Sequence, residues 1–348
     1  MIDRGQGTVR LRILIVSDAW EPQVNGVVRT LRTTGDLLIA DGHEVEVIGP
    51  NRFRSIPCPT YPEIRLALGA RRTLPAMIEA FAPDAIHIAT EGPLGWAARR
   101  YCRRHGLTFT TSFHTMFPDY VKVRFGIPLA WTFAPLRRFH AASGAVMVAT
   151  ESIEKVLVRR GFENIVRWTR GVDTELFHPR DKDFLPGPRP IKLYVGRVAV
   201  EKNIEAFLSL TGDGSKYVVG DGPQRAALQT KYPDVQFVGA KHGEELARHY
   251  AAADVFVFPS RTDTFGLVML EALASGVPVA AYPVPGPLDV IDGTGVGCLD
   301  ESLEKAVEGA LKIPADTCRA HALKHAWPVA VRQFLSHLHP LRTIGGAA

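Results

Sequence analysis

Short apolar runs and helical patterns alternate along this chain. Arg12–Val16 (RILIV) is an apolar run of strand length, and past Gly26 the residues Val27, Val28, Leu31, Leu37 and Leu38 recur at helical spacing. That recurrence places side chains on one face of a helix. Glu44–Ile48, Asp84–Ile88, Thr108–Ser112 and Ala145–Ala149 read as further strands, separated by helical stretches around 71–81, 94–105 and 127–142. Strands that alternate with helices imply parallel βαβ units. Asn25 or Gly26 caps the first helix, whose free amides then face the strand end.

The rhythm pauses at 171–190, GVDTELFHPRDKDFLPGPRP, which has four prolines and no clear period. Such a stretch reads as a linker. A second series follows. Ile191–Val195, Lys216–Val219, Val235–Val238, Val255–Phe258 and Val277–Ala281 predict strands, with helices near 202–210, 223–231, 244–252, 266–275 and 302–312. A last helical pattern covers 328–338. The expected architecture is α/β, with two doubly wound modules at 1–170 and 191–325, the linker between them and a helix and tail at 326–348. Ligands of open α/β sheets bind beyond the carboxyl ends of the strands. Two such sheets facing each other would form an active cleft.

Composition agrees with this division. The 348 residues are 46% hydrophobic and 22% charged, enough for two cores at roughly 150 residues per domain. No apolar run reaches the roughly 18–20 residues that cross a bilayer. The polar stretch from Met1 to Arg12 lacks the apolar core of a signal peptide. These features predict a cytoplasmic protein. Cys58, Cys102, Cys298 and Cys318 lie far apart with no CxxC pair, so reduced thiols are expected and a structural metal is not.

Charge is uneven. Residues 1–170 hold 23 Lys and Arg against 15 Asp and Glu, and the remainder holds 18 against 21, within an overall balance of +5. Residues 91–150 concentrate the excess in Arg99, Arg100, Arg103, Arg104, Lys122, Arg124, Arg137 and Arg138, opposed only by Glu91 and Asp119. Phe125, Ile127, Leu129, Trp131, Phe133, Leu136 and Phe139 interleave with these cations. Basic and apolar residues together suit a face resting on anionic lipid. A core helix with solvated arginines gives the same pattern. No nucleic-acid-binding motif accompanies the patch.

Three turns in the second series carry candidate chemistry. Gly196-Arg197-Val198-Ala199-Val200-Glu201-Lys202-Asn203 brings two cations to a strand-to-helix turn, where Arg can fork onto two diphosphate oxygens and Lys adds a point charge. Val219-Gly220-Asp221-Gly222-Pro223 allows close backbone approach to a ligand, or simply a tight turn. Phe256 to Glu271 runs from a strand through a loop into a helix, with Asp263 and Glu271 eight residues apart. The amides of Phe265, Gly266 and Leu267 would cradle oxygens, and Glu271 could accept from the two hydroxyls of a ribose. Solvated surface residues explain each turn taken alone.

Taken in this order, the three turns resemble the retaining glycosyltransferases of the two-domain GT-B fold in family GT4. The resemblance spans roughly 11–338. Its most specific piece is the acid-x7-acid motif running into Glu271-Ala272-Leu273-Ala274-Ser275-Gly276-Val277-Pro278-Val279, joined by Gly171-Val172-Asp173-Thr174-Glu175-Leu176-Phe177 and by Gly196-Arg197 with Glu201-Lys202. It implies two Rossmann-like domains facing across a cleft. It implies that Arg197 and Lys202 bind the donor diphosphate and that Glu271 holds the ribose. Asp263, where many members carry Glu, would face the donor sugar beside the Phe265–Leu267 amides, and the base would lie near Gly239–Glu245.

The N-terminal loop Pro22-Gln23-Val24-Asn25-Gly26-Val27-Val28-Arg29-Thr30 resembles that of a lipid-acting subgroup that includes sulfoquinovosyl transferases and diacylglycerol glycosyltransferases, many of which have a second Gly at the place of Asn25. There Gly26 would approach the donor phosphate. Ser112-Phe113-His114-Thr115-Met116-Phe117-Pro118 resembles the loop with the family's active-site His, which puts His114 at the reaction centre. Asp18 is a candidate acceptor contact, and a loop cap is the other reading of it.

The implied reaction retains anomeric configuration by same-face attack, with a nucleotide sugar as co-substrate and neither cofactor nor metal. The expected function is hexosyl transfer (glucosyl, galactosyl or glucuronosyl) from a UDP-sugar to a membrane lipid such as diacylglycerol, on the inner face of the cell membrane. The alternative is a GDP-mannose-dependent α-mannosyltransferase acting on another lipid or a polysaccharide. A sugar-nucleotide epimerase and a non-enzymatic sugar-nucleotide-binding module are further readings. An NAD enzyme fits less well, since the first strand leads into no GxGxxG.

Overall fold

In a computed structural model of the chain, residues 10–23, 25–58, 61–114, 129–261 and 265–341 are described, with the backbone alone for 61–63 and 129–130. The chain forms two compact units. One runs to Thr169 and resumes at Ala330; the other is Arg170–Val329.

The first unit holds a six-stranded parallel sheet in the order β2-β1-β5-β6-β7-β8. These strands are β1 (Arg12–Val16), β2 (Glu44–Ile48), β5 (Ala85–Ile88), β6 (Thr110–Phe113), β7 (Ala145–Val148) and β8 (Ile165–Arg167). Successive side chains of a strand point to opposite faces. Ile13 and Ile15 therefore enter a cluster with Leu31, Leu38 and Trp168, while Leu14 and Val16 enter another with Leu74, Ile78, Leu94 and Phe139. An antiparallel pair, β3 (Ser55–Cys58) and β4 (Tyr61–Ala67), lies between β2 and β5 in the chain. No strand was expected there, because Pro57, Pro59 and Pro62 break the alternation that marks one.

The second unit holds a six-stranded parallel sheet in the order β11-β10-β9-β12-β13-β14. These strands are β9 (Ile191–Val195), β10 (Ser215–Val219), β11 (Gln236–Gly239), β12 (Val255–Phe258), β13 (Val279–Ala281) and β14 (Gly297–Leu299). Val255 and Val257 pack on one face with Val218 and Phe207. Phe256 and Phe258 pack on the other with Leu193, Tyr250 and Leu270.

Two expectations about the boundaries change. The stretch 171–190 is not a spacer: Val172, Phe177 and Leu185 are buried in the second unit's core. Its prolines erase any period but leave these apolar anchors. The helix Trp327–His337 begins in the second unit and ends in the first, where Val331, Phe334 and Leu338 join the cluster around Ile13 and Trp168. Burying Val331 and Phe334 contributes about 1.5–3 kcal/mol each. Gln333 Oε1 also accepts from the amide and the hydroxyl of Thr169, both at 2.9 Å.

All four cysteines are free, and burial pushes the Cys102 and Cys318 thiols up to about 12. Among the described residues, no helix is long and apolar enough to cross a membrane.

Candidate active site

Each unit presents loops at the carboxyl ends of its central strands, where a parallel sheet binds ligands. In the second unit the loops after β9 and β10 are tied together through backbone, and a side chain joins the loop after β12 to them. The Val198 amide donates to the Asp221 carbonyl at 2.9 Å, and the Gln224 amide donates to the Val198 carbonyl at 3.2 Å. The Tyr194 hydroxyl donates to the Arg197 carbonyl at 2.8 Å, and Asn203 Nδ2 donates to the Pro259 carbonyl at 3.0 Å. Gly220 makes this possible: its φ is +147°, and a Cβ there would stand 1.9 Å from the Gly196 carbonyl oxygen.

On this scaffold Arg197 and Lys202 come to the same turn. Arg197 is exposed and lies 3.5 Å from the Glu201 carboxylate, an i,i+4 pair. Exposed pairs of this kind are worth little and yield readily to a stronger anion. Lys202 closes a single 3₁₀ turn, Val200–Lys202. Gly266, at φ +79°, precedes the helix Leu267–Ala274, so the amides of the first helical turn point into the loop after β12. Glu271 lies within that helix. It is only 2% exposed, and its Oε2 accepts from the Tyr250 hydroxyl at 2.8 Å. Asp263 lies outside the described residues.

In the first unit, Asn25 rather than Gly26 caps the helix Gly26–Ala40. Its Oδ1 accepts from the amides of Val27 and Val28, both at 3.0 Å. Gly26 is exposed at the start of that helix. His114 follows β6 directly, half-buried, with its ring 5.9 Å from that of Trp168.

The expectation for Asp18 is corrected. Its carboxylate is 6% exposed and fully engaged: Oδ1 accepts from the Leu94 amide at 2.8 Å, and Oδ2 accepts from the Gly95 amide at 3.2 Å and the Thr90 hydroxyl at 3.0 Å. Asp18 therefore caps the helix Pro93–Arg104 rather than facing an acceptor. Burial raises its carboxyl above the usual range despite these donors, and Glu91 adds to the rise.

The basic stretch is also trimmed. Arg99 is buried, donating from Nε to the Phe139 carbonyl at 2.8 Å and from Nη2 to the Arg138 carbonyl at 2.6 Å. It satisfies carbonyls at the end of the helix Leu129–His140, and Phe133 and Phe139 are core residues. Arg100, Arg103, Arg104, Arg137 and Arg138 remain exposed, and Trp131 is 77% exposed. Asp119, Lys122, Arg124, Phe125 and Ile127 lie outside the described residues.

Sequence reasoning missed Tyr250, Asn203, His87, His140 and Glu91. For the two histidines a signal existed. Three consecutive hydroxyl residues in a strand of a parallel sheet require buried partners.

Residues 24–176 match the family described as "Glycosyltransferase Family 4", and residues 189–314 match "Glycosyl transferases group 1". The GDP-mannose-dependent alpha-mannosyltransferase of Mycobacterium tuberculosis is 32% identical, over 95% of this chain and 97% of that one. The alpha-monoglucosyldiacylglycerol synthase of Streptococcus pneumoniae is 25% identical, over 94% and 85%. Among solved structures, a sucrose-phosphate synthase from Thermosynechococcus elongatus superposes with a TM-score of 0.78 at 23% identity, over 94% of this chain and 98% of that one.

Proposed function

This chain belongs to glycosyltransferase family 4 and has the GT-B fold, and from that premise we propose that it is a GDP-mannose-dependent α-mannosyltransferase acting on a lipid or polysaccharide acceptor. The observation that carries this reading is the 32% identity with a mannosyltransferase of that name over nearly the full length of both chains. The alpha-monoglucosyldiacylglycerol synthase covers 94% of this chain but is only 25% identical. The expectation of a UDP-sugar and diacylglycerol therefore gives way to the alternative.

In this reading Arg197 and Lys202 bind the donor diphosphate and stabilise its charge as it leaves. Glu271, oriented by Tyr250, accepts from the ribose hydroxyls. The amides of Phe265, Gly266 and Leu267, with Asp263, face the donor sugar. Gly26 approaches the donor phosphate, and His114 stands near the anomeric carbon. The bond from that carbon to the diphosphate oxygen breaks, and a bond from the acceptor oxygen forms on the same face. The acceptor proton passes to a diphosphate oxygen. The enzyme's part is to position these groups and stabilise charge, with two cations in place of a metal. Exposed Arg100, Arg103, Arg104, Arg137 and Arg138 with Trp131 support a membrane-facing surface, drawn to anionic lipid.

Purified protein incubated with membrane lipids and, separately, GDP-mannose, UDP-glucose, UDP-galactose or UDP-glucuronate gives the test. Product mass should report transfer from GDP-mannose. Transfer from a UDP-sugar alone would overturn the donor assignment. Co-sedimentation should favour anionic over neutral vesicles, and equal binding would remove the membrane reading.

A further inference from the structure

Strand β6 departs from the composition of an inner parallel strand. Such strands are normally near-continuous apolar runs, yet Thr110, Thr111 and Ser112 are all fully buried. Buried hydroxyls need partners, and two histidines supply them, one on each face. On one face, His87 of β5 brings Nδ1 to 2.8 Å from Thr110 Oγ1 and Nε2 to 2.8 Å from Ser112 Oγ. Its ring packs edge-on against Trp168 and Phe334, so these bonds end inside the core.

On the other face the bonds lead outward. His140 is 1% exposed. Its Nδ1 lies 2.8 Å from Thr111 Oγ1, and its Nε2 lies 3.1 Å from Glu91 Oε1. Glu91 follows β5, and its side chain is 13% exposed at the carboxyl end of the sheet.

The protons along this chain can be counted. Ser143 donates to the His140 carbonyl at 2.7 Å, because a carbonyl only accepts. The Ser143 oxygen then accepts from the Thr111 hydroxyl at 3.1 Å. Thr111 has no second proton, so it accepts from His140, and Nδ1 carries hydrogen. A proton also lies between Nε2 and the Glu91 carboxylate, since two bare acceptors would repel at that distance. The imidazole is thus tied at both ends and holds Glu91 Oε1 in one place. Among the described residues, Glu91 Oε2 meets no hydrogen-bond donor.

We propose that Glu91 is the residue of the first unit that binds an acceptor hydroxyl, and that His140 is its positioning residue. Three observations carry this assignment. β1 and β5 are neighbours at the point where the strand order reverses, the place where open α/β sheets take ligands. Asp18, the other acid there, is consumed by capping. Among the described residues, Glu91 is paired with His140 and with no Lys or Arg. A carboxyl oxygen with no donor beside it suits a neutral hydroxyl. The ligand class is a sugar or polyol hydroxyl, free or on a lipid headgroup. The inference rests on the transferase reading above.

The test is steady-state kinetics of E91Q, with octyl α-mannoside and dioleoylglycerol vesicles as acceptor probes. E91Q should raise acceptor KM about tenfold or more, as expected when a buried-side acceptor of a substrate hydroxyl is lost. The Kd for GDP, read by calorimetry, should stay within about twofold, because Glu91 touches the acceptor only. H140N should shift acceptor KM by about threefold to tenfold and add little to E91Q, as residues acting in one chain are not additive. E91D replaces E91Q if the latter does not fold. An unchanged acceptor KM in a folded variant, equal loss of GDP affinity, or additive effects of the two substitutions would overturn the proposal. If the wild-type protein uses a UDP-sugar, the same comparison is run with that sugar and UDP. The donor reading then fails while the Glu91 assignment is still decided.

Discussion

The two sheets are alike in strand number and direction, but the points where their strand order reverses are built from different material. In the second unit the loops after β9 and β10 are joined backbone to backbone, with Gly220 packed against the Gly196 carbonyl, and one side chain, Asn203, ties in the loop after β12. In the first unit side chains do the joining: Asp18 caps a helix, and Glu91 is held by His140 and Thr111. In the proposed transferase reading, the difference matches two recognition tasks. A diphosphate needs amides and cations on a backbone that does not reorganise as charge develops. A neutral hydroxyl is recognised by a directed acceptor, which a side chain supplies.

The largest effect should come from the cations on the backbone scaffold. Lys202→Ala should lower kcat/KM by about 10²–10³, the range for losing one preorganised stabiliser of developing charge. The acceptor KM should hold, and EDTA should leave wild-type turnover unchanged. Metal-dependent turnover, or a loss confined to acceptor KM, would break the division of labour between the units.

Next in size is a pair of glycines. A Cβ on Gly220 would meet backbone, the Gly196 carbonyl oxygen at 1.9 Å, at a φ of +147°. Gly220→Ala should therefore destabilise the protein by about 2–4 kcal/mol, combining strain with a forced backbone shift. A Cβ on Gly92 would also sit too close, 2.3 Å from the Asp18 carboxyl carbon. That contact is with a side chain, so Gly92→Ala should cost about 1–2 kcal/mol as Asp18 adjusts. Denaturant unfolding of the two variants measures the gap. Equal losses would mean that the side-chain-built loop is as unyielding as the backbone-built one.

The same contrast explains what could be read from the chain. RILIV, EVEVI, IKLYV and VFVF are strands with the expected bounds: RILIV, IKLYV and VFVF carry the compact apolar signature of buried parallel strands, and EVEVI, half-buried at the sheet edge, alternates polar and apolar. The turns at Gly196–Asn203 and Gly220–Pro223 follow β9 and β10 as expected, because glycines after an apolar run mark the end of a strand. The three-residue strands β8 and β14 are too short to show a period. The helix Ala315–Leu323 was also missed; only Cys318 and Ala322 are buried on it.

Glu91, Thr111 and His140 lie far apart in the chain and meet only once β5 and β6 are neighbours. Asp18 and Glu91 each follow a strand as a single acid. Which one caps and which one is open depends on the amides of Leu94 and Gly95, and no local pattern reports that.

The smallest effect concerns Asp18 and sharpens the comparison through pH. Burial raises the folded-state carboxyl above 3.8, outweighing the Leu94, Gly95 and Thr90 donors. Between the unfolded value and the raised folded one, the folded chain keeps a proton that the unfolded chain has released. The unfolded state binds fewer protons there, so stability falls as pH rises through that window. Asp18→Asn removes the titration while its Oδ1 can still accept from Leu94. Plotted from roughly pH 4 to pH 7, a span that starts near the unperturbed carboxyl value, Tm should fall less steeply in D18N than in the wild-type protein. Absolute stability is not the readout, because Asn cannot accept from Gly95 through Nδ2. Only the difference in slope isolates Asp18 from the other acids. Parallel curves would mean that the three donors hold the carboxylate ionised against burial, and the side-chain-built reversal point would then carry a permanent negative charge beside Glu91.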